Sequence, residues 1–146
     1  MSNAPAALTP ADVERRTRAQ FEIWNSLDPD RITALYTGGY GFGYRTRDPR
    51  PPHPTKESYL KGLQSWLATL VFYRIVIDEL HTVADGDIGL AWGFYHEEFQ
   101  AHGREPEVHH GRFSEVMKRD ASGWRTLFYH RDATPFDDRG IYVPAQ

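Results

Sequence analysis

The chain has 146 residues, of which 40% are hydrophobic and 14% aromatic, enough for one domain with a single core but too few for two ordinary domains. A net charge of −3 and the lack of a basic block argue against a nucleic-acid partner. No apolar run is long enough for a membrane span and the N-terminus lacks the layout of a secretory signal, so we expect a cytoplasmic protein without membrane contact. Because there is no cysteine, any chemistry must come from His, Asp, Glu, Tyr, Arg or Lys side chains.

Three helices are predicted in the first half of the chain. Thr9-Pro10 marks the start of the first, over roughly residues 10 to 26. Asp28-Pro29 repeats this signal for a short second helix, which Gly38-Gly39 ends. Thr55 caps a third helix, whose apolar residues recur at the spacing of one helix face. These residues are Tyr59, Leu60, Leu63, Trp66, Leu67 and Leu70.

The rest of the chain is predicted to be strand and loop. Tyr40-Gly-Phe42-Gly-Tyr44 alternates aromatic residues with glycine, which is typical of a short strand, and four prolines within residues 45–54 predict a loop. Long strands follow at residues 71–84, 88–101 and 107–119, with a last strand after the turn Asp120-Ala-Ser-Gly123. Helices segregated from antiparallel strands indicate an α+β fold whose helices cover one face of the sheet.

Folding the strands about these turns sorts their side chains onto two faces. The predicted cross-strand pairs are His96 with Arg112, Glu98 with His110, Ser114 with Tyr129 and Arg112 with Arg131. One face then carries Trp92, Phe94, His96, Glu98, Val108, His110, Arg112, Ser114, Val116, Leu127, Tyr129 and Arg131. The other carries Tyr95, Glu97, Phe99, His109, Gly111, Phe113, Glu115, Met117, Trp124, Thr126, Phe128 and His130.

Two alternatives remain open for these faces. If the first, more polar face is concave, buried His and Arg side chains beside Glu98 form a polar patch in an apolar cavity, the usual composition of a small-molecule site. If that face is solvated, the aromatic face is the core, and Glu98 with His110 is an ordinary cross-strand contact. A register error of one residue exchanges the two faces.

On the first alternative, the best acid/base pair is His110 with Glu98 as its orienting partner, because histidine titrates near neutrality. His96 lies beside them, and Tyr44 and Tyr129 could donate hydrogen bonds to a developing enolate or alkoxide. Such a site suits proton abstraction next to a carbonyl, as in isomerisation, cyclisation or dehydration of a small organic carbonyl or hydroxyl compound. The predicted ligand-binding residues are Arg131, Arg112, Ser114, Phe94, Trp92, Trp24, Tyr59 and Trp66.

A metal site and a non-catalytic role are the other hypotheses. His96, Glu98 and His110 could approach one point, as two histidines and a carboxylate do around iron or zinc, but such sets arise by chance in His-rich sheets. We predict neither a metal nor a cofactor. The non-catalytic alternative is a ligand-binding or assembly module that forms a homodimer through the outer sheet face. The aromatic patch of that dimer would consist of Tyr95, Phe99, Phe113 and Phe128.

The order of elements and three segments resemble a known superfamily. The segments are Trp24-Asn-Ser-Leu-Asp-Pro-Asp-Arg-Ile-Thr-Ala-Leu-Tyr36, Gly111-Arg-Phe-Ser-Glu-Val-Met-Lys-Arg-Asp120 and Gly123-Trp124-Arg125. They are similar to the SnoaL-like branch of the nuclear transport factor 2-like superfamily over roughly residues 9 to 135, which leaves residues 1–8 and 136–146 as tails. The resemblance implies a curved sheet wrapped around helices as a cone, whose open end often holds a small organic ligand. Members include steroid isomerases, polyketide cyclases, dehydratases, epoxide hydrolases and proteins without catalysis, so the fold does not decide the function.

The segment from Trp124 to Pro135 also looks like the end of the association (hub) domain of calmodulin-dependent protein kinases. The resemblance implies that Arg131 is a pocket arginine, whereas the hub's other two pocket arginines fall on Phe94 and Ser114. The steroid-isomerase pattern requires a carboxylate near the end of the first strand, where this chain has residues 40–45 without an acid. The scytalone dehydratase arrangement, two histidines and tyrosines about a water, is closer to what His96, His110, Tyr44 and Tyr129 could build.

Overall fold

The computed structural model describes residues 6–35 and 55–136, and for residues 132–136 the backbone only. The elements are α1 Pro10–Asn25, α2 Pro29–Ala34, α3 Lys56–Leu67, β1 Leu70–Asp85, β2 Ile88–Ala101, β3 Glu107–Asp120 and β4 Gly123–Phe136. The four strands form one antiparallel sheet in the order β1-β2-β3-β4. The predicted α+β class, with helices followed by a curved sheet, is confirmed. The strand predicted at residues 40–44 and the loop at 45–54 lie outside the described residues.

The helices begin at the residues whose side chains cap them. The Thr9 hydroxyl accepts a hydrogen bond from the Asp12 backbone N–H, and the Asp12 carboxylate accepts one from the Thr9 N–H. Asp28 caps α2 in a similar way, and Thr55 and Ser58 form the reciprocal pair at α3. None of the helices in residues 6–35 and 55–136 is long and apolar enough to cross a membrane.

The core lies between α1 and the inner face of the sheet. The Phe21 ring of α1 lies 5.1 Å from the Phe113 ring and 6.4 Å from the Tyr95 ring. Near the start of the same helix, Val13 packs on Gly89, where an added Cβ would come within 2.6 Å of the valine methyl group. The buried apolar residues are Val13, Phe21, Trp24, Ile32, Leu35, Tyr59, Leu63, Tyr73, Ile75, Ala91, Tyr95, Phe99, Phe113, Met117 and Tyr129.

Asn25 fastens the end of α1 to the outer edge of β1. Its Oδ1 accepts a hydrogen bond of 2.8 Å from the Ile75 N–H, and its Nδ2 donates one of 3.0 Å to the Ile75 carbonyl. Because β1 stands at one end of the described sheet, these two backbone groups would otherwise face away from any strand.

The register between β2 and β3 differs from the prediction by two residues. His96 pairs with His110 and Phe94 with Arg112, so the predicted pairs of His96 with Arg112 and of Glu98 with His110 are wrong. The turn between these strands is centred on Gly103, which has a φ of 74°, whereas the predicted pairs require a turn centred on Arg104. A shift of two residues keeps every side chain on its predicted face.

The register between β3 and β4 begins as predicted and then changes. Asp120 pairs with Gly123 and Met117 with Thr126, but a β-bulge at Leu127 inserts one residue into β4. Beyond the bulge the pairs are Glu115 with Tyr129, Ser114 with His130, Phe113 with Arg131 and Arg112 with Asp132. The predicted pairs of Ser114 with Tyr129 and of Arg112 with Arg131 are therefore wrong.

Candidate functional site

The inner face of the sheet is the aromatic one. Tyr95, Phe113 and Met117 are at most 3% exposed, whereas Trp92 and Phe94 are 41% and 48% exposed. For β2 and β3, the hypothesis that the first, more polar face is concave is therefore wrong. The alternative, in which the aromatic face forms the core, is confirmed.

The predicted catalytic residues of β2 and β3 form a cluster on the outer face. The rings of His96 and His110 lie 5.8 Å apart, and His96 Nε2 lies 3.8 Å from Glu98 Oε1. On its other side, His96 Nδ1 lies 2.7 Å from Asp78 Oδ1. In the part of the chain that the structure describes, no three His, Asp or Glu side chains are grouped so as to hold a metal ion. Tyr44 lies outside the described residues.

The bulge in β4 turns two other predicted residues inward. Tyr129 is 3% exposed, and the Arg131 guanidinium lies 4.6 Å above the ring of Trp24. Burial raises the pKa of Tyr129 far above its ordinary value, so its phenol stays neutral. Of the predicted ligand-binding residues, Trp24, Tyr59, Trp66 and Arg131 lie in the core or at its edge, and Trp92, Phe94, Arg112 and Ser114 lie on the outer face.

A pocket of about 330 Å³ opens beside Arg131, which is near the lower end of the volumes of small-molecule sites. Among the described residues, its lining consists of Trp66, Glu97, Phe99, Arg104, Glu107, His109 and Arg131. A larger groove of about 510 Å³ runs between α1 and β1, but its charged lining residues, Arg18, Glu22 and Arg74, are all exposed. We take the smaller pocket as the site, because it alone of the two brings buried ionisable side chains together.

Glu97 is the buried carboxylate of this pocket. The Tyr73 hydroxyl donates a hydrogen bond of 2.9 Å to Glu97 Oε2, and Arg131 Nη1 lies 4.0 Å from the same oxygen. Burial by itself raises the pKa of Glu97, but the imidazole of His109 beside it, the Arg131 charge and the tyrosine hydrogen bond together lower the pKa below its usual value. Glu97 is therefore ionised at neutral pH.

His109 stands between this buried carboxylate and the surface. Its Nδ1 lies 3.8 Å from Glu97 Oε1, and its Nε2 lies 3.6 Å from Glu107 Oε1. The exposed fractions of the three side chains rise from 4% for Glu97 through 12% for His109 to 46% for Glu107. An imidazole whose one nitrogen faces a fixed carboxylate, and whose ring lines a pocket, has the arrangement of a general acid/base.

The sequence-based choice of His110 and Glu98 differs from this pair by one residue on each strand. Glu97 and His109 are direct cross-strand partners, and they lie on the face that also carries Tyr95, Phe99 and Phe113. The signal that could have found them is an acid and a histidine standing among aromatic residues on the more apolar of the two faces.

Solved structures are similar to this chain, although no protein-family model and no curated protein matches its sequence. A Xanthomonas campestris protein named as a calcium/calmodulin-dependent protein kinase II association domain gives a TM-score of 0.68 at 17% identity, over 92% of this chain and 98% of that one. A Streptomyces avermitilis protein named as a dehydratase from the NTF2-like family gives a TM-score of 0.65 at 13% identity, over 82% of this chain and 92% of that one. A Novosphingobium aromaticivorans protein named as a scytalone dehydratase gives 0.69 at 10% identity, over 92% and 91%.

Identities of 10 to 17% establish the architecture and leave the chemistry to the side chains of this chain. The neighbours share helices that precede a curved antiparallel sheet, as here. The chain therefore has the cone-shaped α+β fold of the nuclear transport factor 2-like (NTF2-like) superfamily.

Proposed function

We propose that this protein binds a small organic carbonyl or hydroxyl compound in the pocket and performs acid/base catalysis on it with its own side chains. The reaction would be of the isomerase, cyclase or dehydratase type. The observation that carries the proposal is the contact of His109 with the buried, ionised Glu97 inside the pocket. The dehydratase names of two structural neighbours agree with this class of reaction. The SnoaL-like branch and the cytoplasmic location stay predictions from the sequence.

In this proposal His109 is the general base. The imidazole removes a proton from the carbon next to the ligand's carbonyl, and the electrons of the broken C–H bond form a C=C bond while the carbonyl oxygen becomes an enolate. The Glu97 carboxylate stabilises the imidazolium that results and fixes the orientation of the ring. The imidazolium then returns the proton to another carbon, which is isomerisation, or to a departing hydroxyl, which is dehydration.

Arg131 is the proposed partner of the enolate oxygen. Its Nη1 is buried and, among the described residues, has no hydrogen-bond partner. Its charge is held in place by the rings of Trp24 and Tyr95, at 4.6 and 5.7 Å. A fixed donor in a water-poor pocket stabilises a developing negative charge more strongly than water does, and removing such a donor typically costs about 10²–10³ in rate.

The test is exchange of α-hydrogen for deuterium in a panel of small ketones in D2O, followed by proton NMR. We expect His109→Asn to lower the exchange rate by about 10²–10⁴, the usual contribution of a general base. His110→Asn is the matched control, because it changes the neighbouring histidine on the opposite face. If His110→Asn lowers the exchange rate and His109→Asn does not, the catalytic residues are those of the cluster on the outer face.

The same samples separate catalysis from simple binding. Trp66 lines the pocket and Trp24 contacts Arg131, so ligand binding should change tryptophan fluorescence. Ketones that change the fluorescence but exchange no deuterium in the wild type would support the non-catalytic ligand-binding module instead. In that case Arg131→Gln should weaken binding, and His109→Asn should leave it nearly unchanged.

We also propose that two copies associate through the outer sheet face. The aromatic patch predicted for this dimer is wrong in three of its four members, because Tyr95, Phe99 and Phe113 are at most 9% exposed in the core. The outer face has its own apolar residues, between 41% and 55% exposed. They include Val83, Leu90, Trp92, Phe94, Val108 and Phe128.

Charge on the outer face fits a second copy of the same chain. Acids lie on the β1 side, at Asp78 and Glu79, and Arg112 lies across the sheet on β3. A two-fold axis that lies between the two outer faces, parallel to the strands, brings the acidic side of one copy to the basic side of the other. We expect Phe94→Asp to give monomers in light scattering, whereas Ala121→Asp, in the exposed β3–β4 turn, should not. A wild-type chain that is monomeric at high concentration would exclude the dimer.

A further inference from the structure

The charged side chains of the pocket balance one another. Two glutamates, Glu97 and Glu107, and two arginines, Arg104 and Arg131, line it together with one histidine. The inner acid and base lie 4.0 Å apart, and the outer glutamate lies 3.6 Å from the imidazole of His109. With that imidazole neutral, the formal charge of the lining side chains within residues 6–35 and 55–131 sums to zero.

This balance works against an anionic ligand. A carboxylate with its oxygens at Arg131 Nη1 would leave water and would stand beside the ionised Glu97, with Glu107 on the solvent side of the lining. Desolvation and repulsion between like charges both disfavour an anion at this position. In addition, the Glu97 carboxylate already neutralises part of the electrostatic potential of the Arg131 guanidinium. The pocket therefore offers an incoming anion one buried donor but little net attraction.

The same pocket suits an uncharged aromatic carbonyl compound. The buried Arg131 Nη1, without a hydrogen-bond partner in the described residues, needs an acceptor, and a carbonyl oxygen supplies one without adding charge. Trp66 and Phe99 give the pocket two aromatic walls for a flat ring. Its volume of about 330 Å³ limits the ligand to one or two rings.

We infer that the pocket selects an uncharged aromatic ketone over the matching carboxylate, and that Glu107 is the residue that sets this selection. Glu107 is 46% exposed, so its carboxylate lies on the solvent side of the pocket lining. Its removal leaves one more positive than negative side chain among the described lining residues. The inference rests on the proposed function only for the location of the ligand.

The experiment uses acetophenone and benzoate, which have nearly the same shape and differ in charge. Binding to the full chain is followed by tryptophan fluorescence and by ligand-observed NMR, at a pH where benzoate is fully ionised. We expect the wild type to bind acetophenone at least about tenfold more tightly, a factor that corresponds to about 1.4 kcal/mol. Glu107→Gln should reduce or reverse this preference by improving benzoate binding relative to acetophenone binding.

Glu105→Gln is the matched control, because Glu105 is an exposed acid on the turn between β2 and β3 and is not among the pocket-lining residues. It should leave the preference unchanged. The inference is overturned if the wild type binds benzoate as tightly as acetophenone, if it binds neither, or if the two variants shift the preference equally. If the protein prefers acetophenone but exchanges no deuterium, this inference holds and the catalytic proposal is excluded. If it exchanges deuterium but shows no preference, the catalytic proposal holds and this inference is excluded.

Discussion

Glu115 is a second buried acid, six residues along β3 from His109 and thus about 20 Å from the pocket. The residue is 2% exposed, and its Oε1 accepts hydrogen bonds of 2.6 Å from Gln20 Nε2 and from Thr126 Oγ1. Burial raises the pKa of Glu115, and these hydrogen bonds and the charge of Arg16 offset only part of the rise. The folded protein therefore keeps Glu115 protonated to a higher pH than the unfolded chain does.

We expect Glu115→Gln to make the free energy of unfolding less dependent on pH. A raised folded pKa contributes stability that is complete below the unfolded value of 4.5 and is lost as the pH rises through the folded value. Glutamine keeps an oxygen for both hydrogen bonds and cannot ionise. As the pH rises, the free energy of unfolding of the variant should therefore increase relative to that of the wild type, by about 1.4 kcal/mol for each unit by which the pKa of Glu115 is raised.

Urea unfolding at a series of pH values measures this effect. The exposed Glu105→Gln is the control, and it should follow the wild type at every pH. If the unfolding free energy of Glu115→Gln keeps the pH slope of the wild type, then the ionisation of Glu115 is not linked to folding.

Residue types alone could not separate the proposed site from its neighbours. Glu97 stands next to Glu98 in the sequence, and His109 stands next to His110, so either pair offers a carboxylate and an imidazole on adjacent strands. The packing of the helices against one face decides which pair is enclosed. The sequence therefore showed a carboxylate and an imidazole on adjacent strands, but it did not show which of the two pairs the fold encloses.

Among the elements, β4 shows where a pattern of alternating residues fails. Thr126 and Tyr129 are both buried although they are three positions apart, because the bulge at Leu127 adds one residue between them. No glycine or proline marks that bulge in the sequence. The caps and most of the turns were predictable because local side chains make them, whereas the bulge depends on how β3 and β4 pair.

A second bulge, in β1 between Ile77 and Glu79, makes Gly93 necessary. A Cβ at Gly93 would lie 1.9 Å from the Glu79 carbonyl oxygen. We expect Gly93→Ala to lower the free energy of unfolding by about 1–3 kcal/mol or more, because backbone must move to make room. Equal urea midpoints for Gly93→Ala and the wild type would contradict this account of β1.

Gly86→Asn provides the control for this substitution. Gly86 has a φ of 59°, and nothing lies within 4 Å of a Cβ added there. Asparagine tolerates the left-handed backbone better than most residues, so this variant should lose much less stability than Gly93→Ala.

At the scale of the whole molecule, the order of helices and strands predicted the α+β class, and the resemblance of three segments to a known superfamily predicted the cone. Which face of the sheet the helices cover was not predictable from the order of elements, and the residues of the proposed interface depend on that face. Association through the outer face predicts that the thermal unfolding midpoint rises with protein concentration, because dilution favours the separated chains. Calorimetry over a wide concentration range measures this, and Phe94→Asp should unfold at one temperature throughout.

The contact between Asn25 and Ile75 also bears on how the molecule behaves in a crowded solution. An open strand edge is a template on which foreign chains can grow into aggregates. Because the amide of Asn25 copies the hydrogen bonding of a neighbouring strand, Ile75 has neither its N–H nor its C=O left for a foreign chain. The last residue of α1 thus occupies the two backbone groups of Ile75 with which a foreign strand would pair, which hinders edge-to-edge aggregation at this point of β1.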